Sequence, residues 1–149
     1  MKIYIGSDHA GFELKNKIIA FVRGFGHDVI DEGAFALDAT DDYPDFIALV
    51  AEEVSKNKDA RGIVIGGSGQ GEAIVANRFR NVRAVVYYGG TLDIVKLSRE
   101  HNDANILSLG ARFLNDNEAT TAVKLWLETP FSGEERHIRR IKKIDSFHI

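Results

Sequence analysis

Four of the six residues from Gly66 to Gly71 are glycine, and Glu72 follows them directly. Such a run between an apolar strand and a helix lets backbone N–H groups converge on an anion at the helix N-terminus. The named motifs of this kind do not fit. Position 72 is glutamate where a dinucleotide fingerprint built on Gly67 and Gly69 requires glycine, and no Gly-Lys-Ser/Thr follows as in a P-loop. Gln70 stands where a serine nucleophile elbow requires glycine, which argues against a serine hydrolase. A plain tight turn is the alternative reading of the loop. Glu72 taken alone reads as a helix-start charge. Beside an anion cradle, a carboxylate can instead remove a carbon-bound proton while the N–H groups hold the forming oxyanion. Those two effects are typically worth about 10²–10⁴-fold and 10²–10³-fold in rate. Ser68, inside the loop, can relay protons between neighbouring oxygens or simply hydrogen-bond the turn.

A second cluster lies near the C-terminus, where Arg136-His137-Ile138-Arg139-Arg140 is followed by Lys142 and Lys143. Arg136 and Arg140 are four apart and share a helix face. Two guanidinium forks one turn apart suit a phosphate, although a solvated basic face explains the same pattern. Nucleic acid is disfavoured as a partner, because the run lacks interleaved aromatics and the chain carries a net charge of −3. The five histidines show no metal-ligand spacing, Asp8-His9 being a single adjacent pair, so no metal site is expected. His101 alone reads as a helix-end cation. His27 and His148 carry no pattern. Since the loop amides supply the electrophilic stabilisation, no metal or nucleotide cofactor is expected.

These groups need a scaffold, and 149 residues allow one domain. Hydrophobic residues at 44% and charged ones at 28% are ordinary globular values and argue against disorder or a fibrous repeat. The absence of cysteine excludes disulfides, thiolate metal sites and a cysteine base. No apolar run approaches a membrane span, and Met1–Gly11 does not read as a signal peptide, so a soluble, cytoplasmic protein is expected. Strand-like runs at 2–5, 28–30, 62–65, 83–87 and 106–109 alternate with helical patterns. The first helix carries Leu14, Ile18, Phe21, Val22 and Phe25 on one face and ends at Gly24 and Gly26. The second starts near Tyr43-Pro44-Asp45 with Ile47, Val50 and Val54 inward. A third follows the glycine loop, and later helices are expected near 91–101, 118–127 and 134–146. This alternation predicts an α/β fold: a three-layer α/β/α, Rossmann-like arrangement of five parallel strands with an extra C-terminal helix. That last helix lies outside the alternating unit and is expected to pack across the domain or onto a second subunit. Ligands of such sheets sit beyond the carboxyl ends of the strands. Asp8-His9, the glycine loop, Gly110-Ala111-Arg112 and His101-Asn102-Asp103 are all expected to collect there, near a mobile lip formed by residues 33–42.

Gly6-Ser7-Asp8-His9-Ala10-Gly11, Asp42-Tyr43-Pro44-Asp45, the stretch Gly66–Asn77, Ser98-Arg99-Glu100-His101-Asn102-Asp103-Ala104-Asn105 and Arg136-His137-Ile138-Arg139-Arg140 together resemble the type B ribose-5-phosphate isomerases. That family includes the galactose-6-phosphate isomerase subunits, and the likeness spans 1–149 as one sugar-phosphate isomerase domain. It implies a cofactor-free aldose–ketose isomerase working through a cis-enediolate, as a homodimer or dimer of dimers with shared active sites. In carbohydrate metabolism its expected step is the ribose 5-phosphate to ribulose 5-phosphate interconversion of the pentose phosphate pathway. The resemblance implies that Asp8 and His9 contact the sugar and that Tyr43 lines the pocket. Gly67, Ser68, Gly69, Gln70 and Gly71 would bind the enediolate oxygens, with Ser68 assisting proton movement. His101 would open the furanose ring, Asn102 would bind substrate, and Arg112, Arg136 and Arg140 would hold the phosphate. Many members place a cysteine base where this chain has Gly66; another branch uses a glutamate at the position of Glu72. Isomerisation of another sugar phosphate (a different pentose, a tetrose, or a hexose such as allose or galactose 6-phosphate) and a non-catalytic phosphate-binding module remain the alternatives.

Overall fold

The computed structural model describes residues 1–147, so His148 lies outside the described residues. Five strands, β1 (Lys2–Ser7), β2 (Asp28–Asp31), β3 (Arg61–Gly66), β4 (Ala84–Tyr87) and β5 (Ile106–Gly110), form one parallel sheet in the order β2-β1-β3-β5-β4. Among the described residues six α-helices accompany them: α1 (Phe12–Gly24), α2 (Tyr43–Lys56), α3 (Gln70–Ala76), α4 (Asp93–Glu100), α5 (Asp116–Glu128) and α6 (Glu135–Asp145). The expected three-layer α/β/α architecture is the one observed.

The continuous apolar strands follow from burial on both faces. Ile3, Ile5, Ile63, Ile65, Leu107 and Leu109 pack with Leu14, Ile18 and Val22 of α1 and with Val123 and Trp126 of α5. Tyr4, Val64 and Ile106, on the opposite pleat, pack with Ile47, Val50 and Val54 of α2 and Ala76 of α3. The second layer lies close to the sheet: a β-carbon on Gly62 would stand 2.8 Å from Val50 Cγ1.

Helix ends follow local rules. Pro44 sits in the first turn of α2, and Asn115 and Glu118 form a reciprocal capping box that starts α5 two residues before the predicted boundary. Two details of α1 depart from the periodicity. Phe25 is 44% exposed, edge-on to Phe21 at 4.7 Å, because the helix has already ended and the chain turns through Gly26 at φ 82°. Lys15, which the pattern places among polar positions, is buried; its Nζ donates to both oxygens of Asp31 at 2.7 and 2.9 Å and to Ala34 O at 2.8 Å. This bond set fastens the start of the 33–42 loop. Ser7 N also donates to Gly33 O, and Ala34 N donates to Ser7 O. The lip is therefore anchored where it leaves the sheet.

Stranding a buried ammonium is costly. Asp31→Asn is expected to lower unfolding free energy in urea titration by about 2 kcal/mol, less than the ~3–5 kcal/mol of a fully enclosed pair, since Asp31 is 26% exposed. Adding Lys15→Met removes the stranded charge and should recover most of that loss.

Candidate active site

The carboxyl ends of β1, β3 and β5 carry one constellation. Asp8 is buried, and its Oδ1 accepts from Ala10 N at 3.0 Å and Gly11 N at 3.3 Å, capping a single 3₁₀ turn at His9–Gly11. That cap fixes both Asp8 and the start of His9's side chain. The glycine loop turns through Gly69 at φ 78° and enters α3. Ser68 Oγ accepts from Gln70 N at 3.3 Å, so the turn-forming role of Ser68 is present in the structure. Beneath the loop, buried Ser108 donates to Gly69 O at 2.7 Å. The ring of Tyr43 lies against Gly71, and the guanidinium of Arg112 lies against Gly67, 3.2 Å from where a β-carbon would stand.

Glu72 is only 4% exposed, and its carboxyl group fills the space a β-carbon on Gly66 would take. Burial pushes its pKa up, and the nearby charge of Asp8 adds to this; the N–H groups of Glu72 and Gly69 pull the other way. A buried carboxylate with a raised pKa at the mouth of an amide-lined loop has the character of a general base.

Asp41 completes this end, and sequence reading missed it. Its side chain is 9% exposed, and its Oδ1 lies 2.6 Å from His9 Nδ1 while also accepting His9 N at 3.1 Å. The bond to Asp41 raises the His9 pKa, against opposing effects of burial and of Arg112. Nδ1 is thereby committed to Asp41, which leaves Nε2 for a ligand. Asp8, His9 and Asp41 offer ligand atoms within 4.8 Å of one another. His9 Nδ1, however, is already engaged in that grouping, which reads as a carboxylate–imidazole pair.

His101 and Asn102 are not at this end. The expectation that they join the carboxyl-end cluster is corrected by the topology: α4 runs back along the sheet, so the residues after it meet the amino ends of the strands. Arg83 N donates to Asn105 Oδ1 at 2.7 Å and Gly62 N to Asn105 O at 2.8 Å, both at the start of their strands. There His101 stacks on buried His137 of α6, with ring centroids 4.3 Å apart and 16° between planes. Arg136 and Arg140 lie close enough to His137 to help hold its pKa down, after burial and His101. Both arginines are exposed, Arg136 Nε donating to Glu134 Oε2 at 2.9 Å. The structure thus holds two partial constellations at opposite ends of one sheet: Asp8, His9, Asp41, Tyr43, the loop, Glu72 and Arg112 at one, and His101, Asn102, Arg136, His137 and Arg140 at the other.

Asp41→Asn removes the anion that favours the imidazolium form of His9 but leaves the burial that opposes it. The His9 titration followed by NMR of the ring carbon-bound protons is expected to move to lower pH than in the unaltered chain. An unchanged titration would mean the 2.6 Å contact carries no charge interaction.

Comparison with known proteins agrees with this geometry across nearly the whole chain. Residues 3–144 match the family described as Ribose/Galactose Isomerase. The chain is 45% identical over 141 residues to ribose-5-phosphate isomerase B of Mycolicibacterium paratuberculosis, covering 95% of this chain and 87% of that one. Among solved structures, ribose-5-phosphate isomerase B of Mycoplasma genitalium with bound ribulose-5-phosphate superposes with a TM-score of 0.92 at 41% identity, over 97% of this chain and 93% of the other. The Clostridium thermocellum enzyme of the same name gives 0.91 at 45% identity, over 97% and 95%. Motifs, sheet order and these likenesses converge: the chain is an isomerase belonging to the Ribose/Galactose Isomerase family.

Proposed function

We propose that the chain interconverts D-ribose 5-phosphate and D-ribulose 5-phosphate, with Glu72 carrying a proton between C1 and C2 through a cis-enediolate. The observation that carries this reading is the buried Glu72 carboxyl group set against Gly66 at the amide-lined loop. In the aldose-to-ketose direction Glu72 removes the C2 proton, and the electron pair moves toward C1–O1. The backbone N–H groups of residues 67–71 stabilise the negative charge on oxygen. Glu72 then returns its proton to C1, while Ser68 moves the hydroxyl proton from O2 to O1. No atom is gained or lost. Tyr43 walls the pocket, Asp8 and His9 fix sugar hydroxyls, and Arg112 meets the phosphate from the same chain.

The remaining parts lie at the other end of the sheet, which favours a homodimer in which His101, Asn102, Arg136 and Arg140 come from the partner. In that arrangement His101 opens the furanose ring as an acid, Asn102 binds the sugar and the two arginines clamp the phosphate. Helix α6 has the surface for such packing: His137 is its one buried residue among those described, while Ile138, Ile144 and Phe147 near it are exposed.

Glu72→Gln keeps the shape and removes the base, so kcat should fall by about 10² or more with KM little changed. Deuterium incorporation at C2 from heavy water should fall in parallel. Survival of turnover within about threefold would reduce Glu72 to a helix-start charge. Because the raised pKa of Glu72 must be exceeded before the base form is complete, the acid limb of kcat against pH should lie above the ordinary glutamate value of 4.5. Gly66→Ala should cost activity by displacing the same carboxylate.

Mixing tests the shared site. Glu72→Gln and His101→Ala chains, each nearly inactive alone, should on co-refolding regain roughly a quarter of wild-type activity, because about half the dimers are mixed and each carries one intact site. No recovery, with mixed dimers confirmed by mass, would put both residues in one subunit's site.

A further inference from the structure

At the amino ends of the strands, behind the His101–Asn102 segment, lies a cavity of about 230 Å³ whose walls include Lys58, Arg61, Arg83 and Arg99 against Asp59 and Asp103. We infer that this cavity is a binding site for a small phosphate-type oxyanion, separate from the glycine loop and from Arg136 and Arg140. The inference does not depend on the isomerase reading, because its readout is binding.

The cavity is built rather than left over. Arg99 is 4% exposed and held by Thr129 O at 3.2 Å, Ala104 O at 2.6 Å and Asp103 Oδ1 at 2.8 Å. Arg61 donates to Trp126 O at 3.2 Å and Leu127 O at 3.1 Å. Arg83 Nε donates to Asn102 O and Asp103 O, both at 3.1 Å. Carbonyl partners fix the planes of the guanidinium groups without neutralising them. Asp103 serves both Arg83 and Arg99, and Asp145 reaches Arg83 only at 3.8 Å. Among the described residues no carboxylate lies within 4 Å of Arg61. Burial and the neighbouring charge of Arg99 push the Arg61 pKa down to about 10, against the opposing charge of Asp103. A cluster of fixed, under-neutralised cations gains most from an entering anion.

Size and geometry select the class. The volume equals roughly eight waters at about 30 Å³ each, enough for a tetrahedral oxyanion or its small ester and too little for a polymer segment with its flanks. One fork satisfies a carboxylate, whereas several guanidinium planes with an ammonium at the mouth match a dianion with more acceptor oxygens. Occupancy also has a route to the amino-end constellation. Arg83 and Arg99 grip the carbonyls of Asn102, Asp103 and Ala104, so an anion competing for these guanidiniums acts on the backbone that carries His101.

Trp126 is the single tryptophan of the chain, and its ring lies 5.3 Å from Arg61 Cζ and 5.9 Å from Arg99 Cζ. Its fluorescence therefore reports on this cavity. Inorganic phosphate, glycerol 2-phosphate, acetate and chloride, titrated at matched ionic strength, are the probes. A saturable change is expected with phosphate or its ester and not with acetate or chloride. Tighter binding of the ester assigns the site to a phosphomonoester, and tighter or equal binding of the free ion to inorganic phosphate. The response should persist in Arg136→Ala/Arg140→Ala and weaken by about tenfold or more in Arg61→Gln. Lys58 is exposed at the mouth, so Lys58→Glu keeps the fold and should weaken binding by about fivefold or more, which holds the test if Arg61→Gln does not fold. A response shared by all four salts overturns the inference. So does one lost in the Arg136/Arg140 variant, or one untouched by Lys58→Glu.

Discussion

Glu72 and Gly66 compete for one volume, and the chemistry at the carboxyl end of the sheet rests on how that competition is resolved. With no β-carbon at 66, the carboxyl group folds back against the end of β3 and is 4% exposed. Any larger residue at 66 would drive it outward into water, where its pKa would relax toward that of an ordinary carboxylate. The resemblance to relatives with a cysteine at this place then acquires a steric reading. A side chain at 66 and a buried carboxylate at 72 are alternatives, because both would occupy the same small space above the same loop. The glycine at 66 and the buried carboxylate at 72 are therefore one structural choice.

Sheet polarity imposes the second constraint. Every crossover helix in a parallel sheet begins at the carboxyl ends and returns the chain to the amino ends. Groups placed after strands therefore share one pole, and groups placed after helices share the other. Asp8, Gly67–Gly71 and Arg112 follow strands; His101 and Asn102 follow α4. No rearrangement of loops in a single chain joins these sets without breaking the sheet, which is why the proposed function needs a second copy whose poles run the other way.

Local features are legible in the sequence because their causes are local. Strand and helix periodicities, the proline start of α2 and the glycine loop each depend on residues within a few positions, and they match the structure closely. The pole occupied by His101 is legible only if the direction of the preceding helix outweighs the likeness of its polar motif to those that follow strands. Asp41 escapes a sequence reading for a different reason. It lies 32 residues from His9 in an irregular loop with no period, and an aspartate among Asp38, Asp41 and Asp42 carries no mark of the one that turns inward. Lys15 reads as polar surface because periodicity cannot see the Asp31 that receives it. For Asp41 and Lys15 alike, the missing information is a long-range pairing of charges.

Charge also shows why neither constellation suffices alone on the proposed reading. The carboxyl-end group sets the carboxylates of Asp8, Asp41 and Glu72 against His9 and Arg112. By itself it offers a doubly negative phosphate ester more repulsion than attraction, and the buried Glu72 would resist ionising further as the ester approached. The amino-end group has the opposite excess on α6, where Arg136, Arg139, Arg140, Lys142 and Lys143 stand against Glu135 and Asp145. Joined across a two-fold axis as proposed, the basic set would hold the phosphate away from Glu72 while the amide loop, which carries no formal charge, would hold the reacting oxygens. In the proposed dimer a base would stay ionised beside an anionic substrate, because the arginines that attract the substrate would be delivered from the other pole of the partner's sheet.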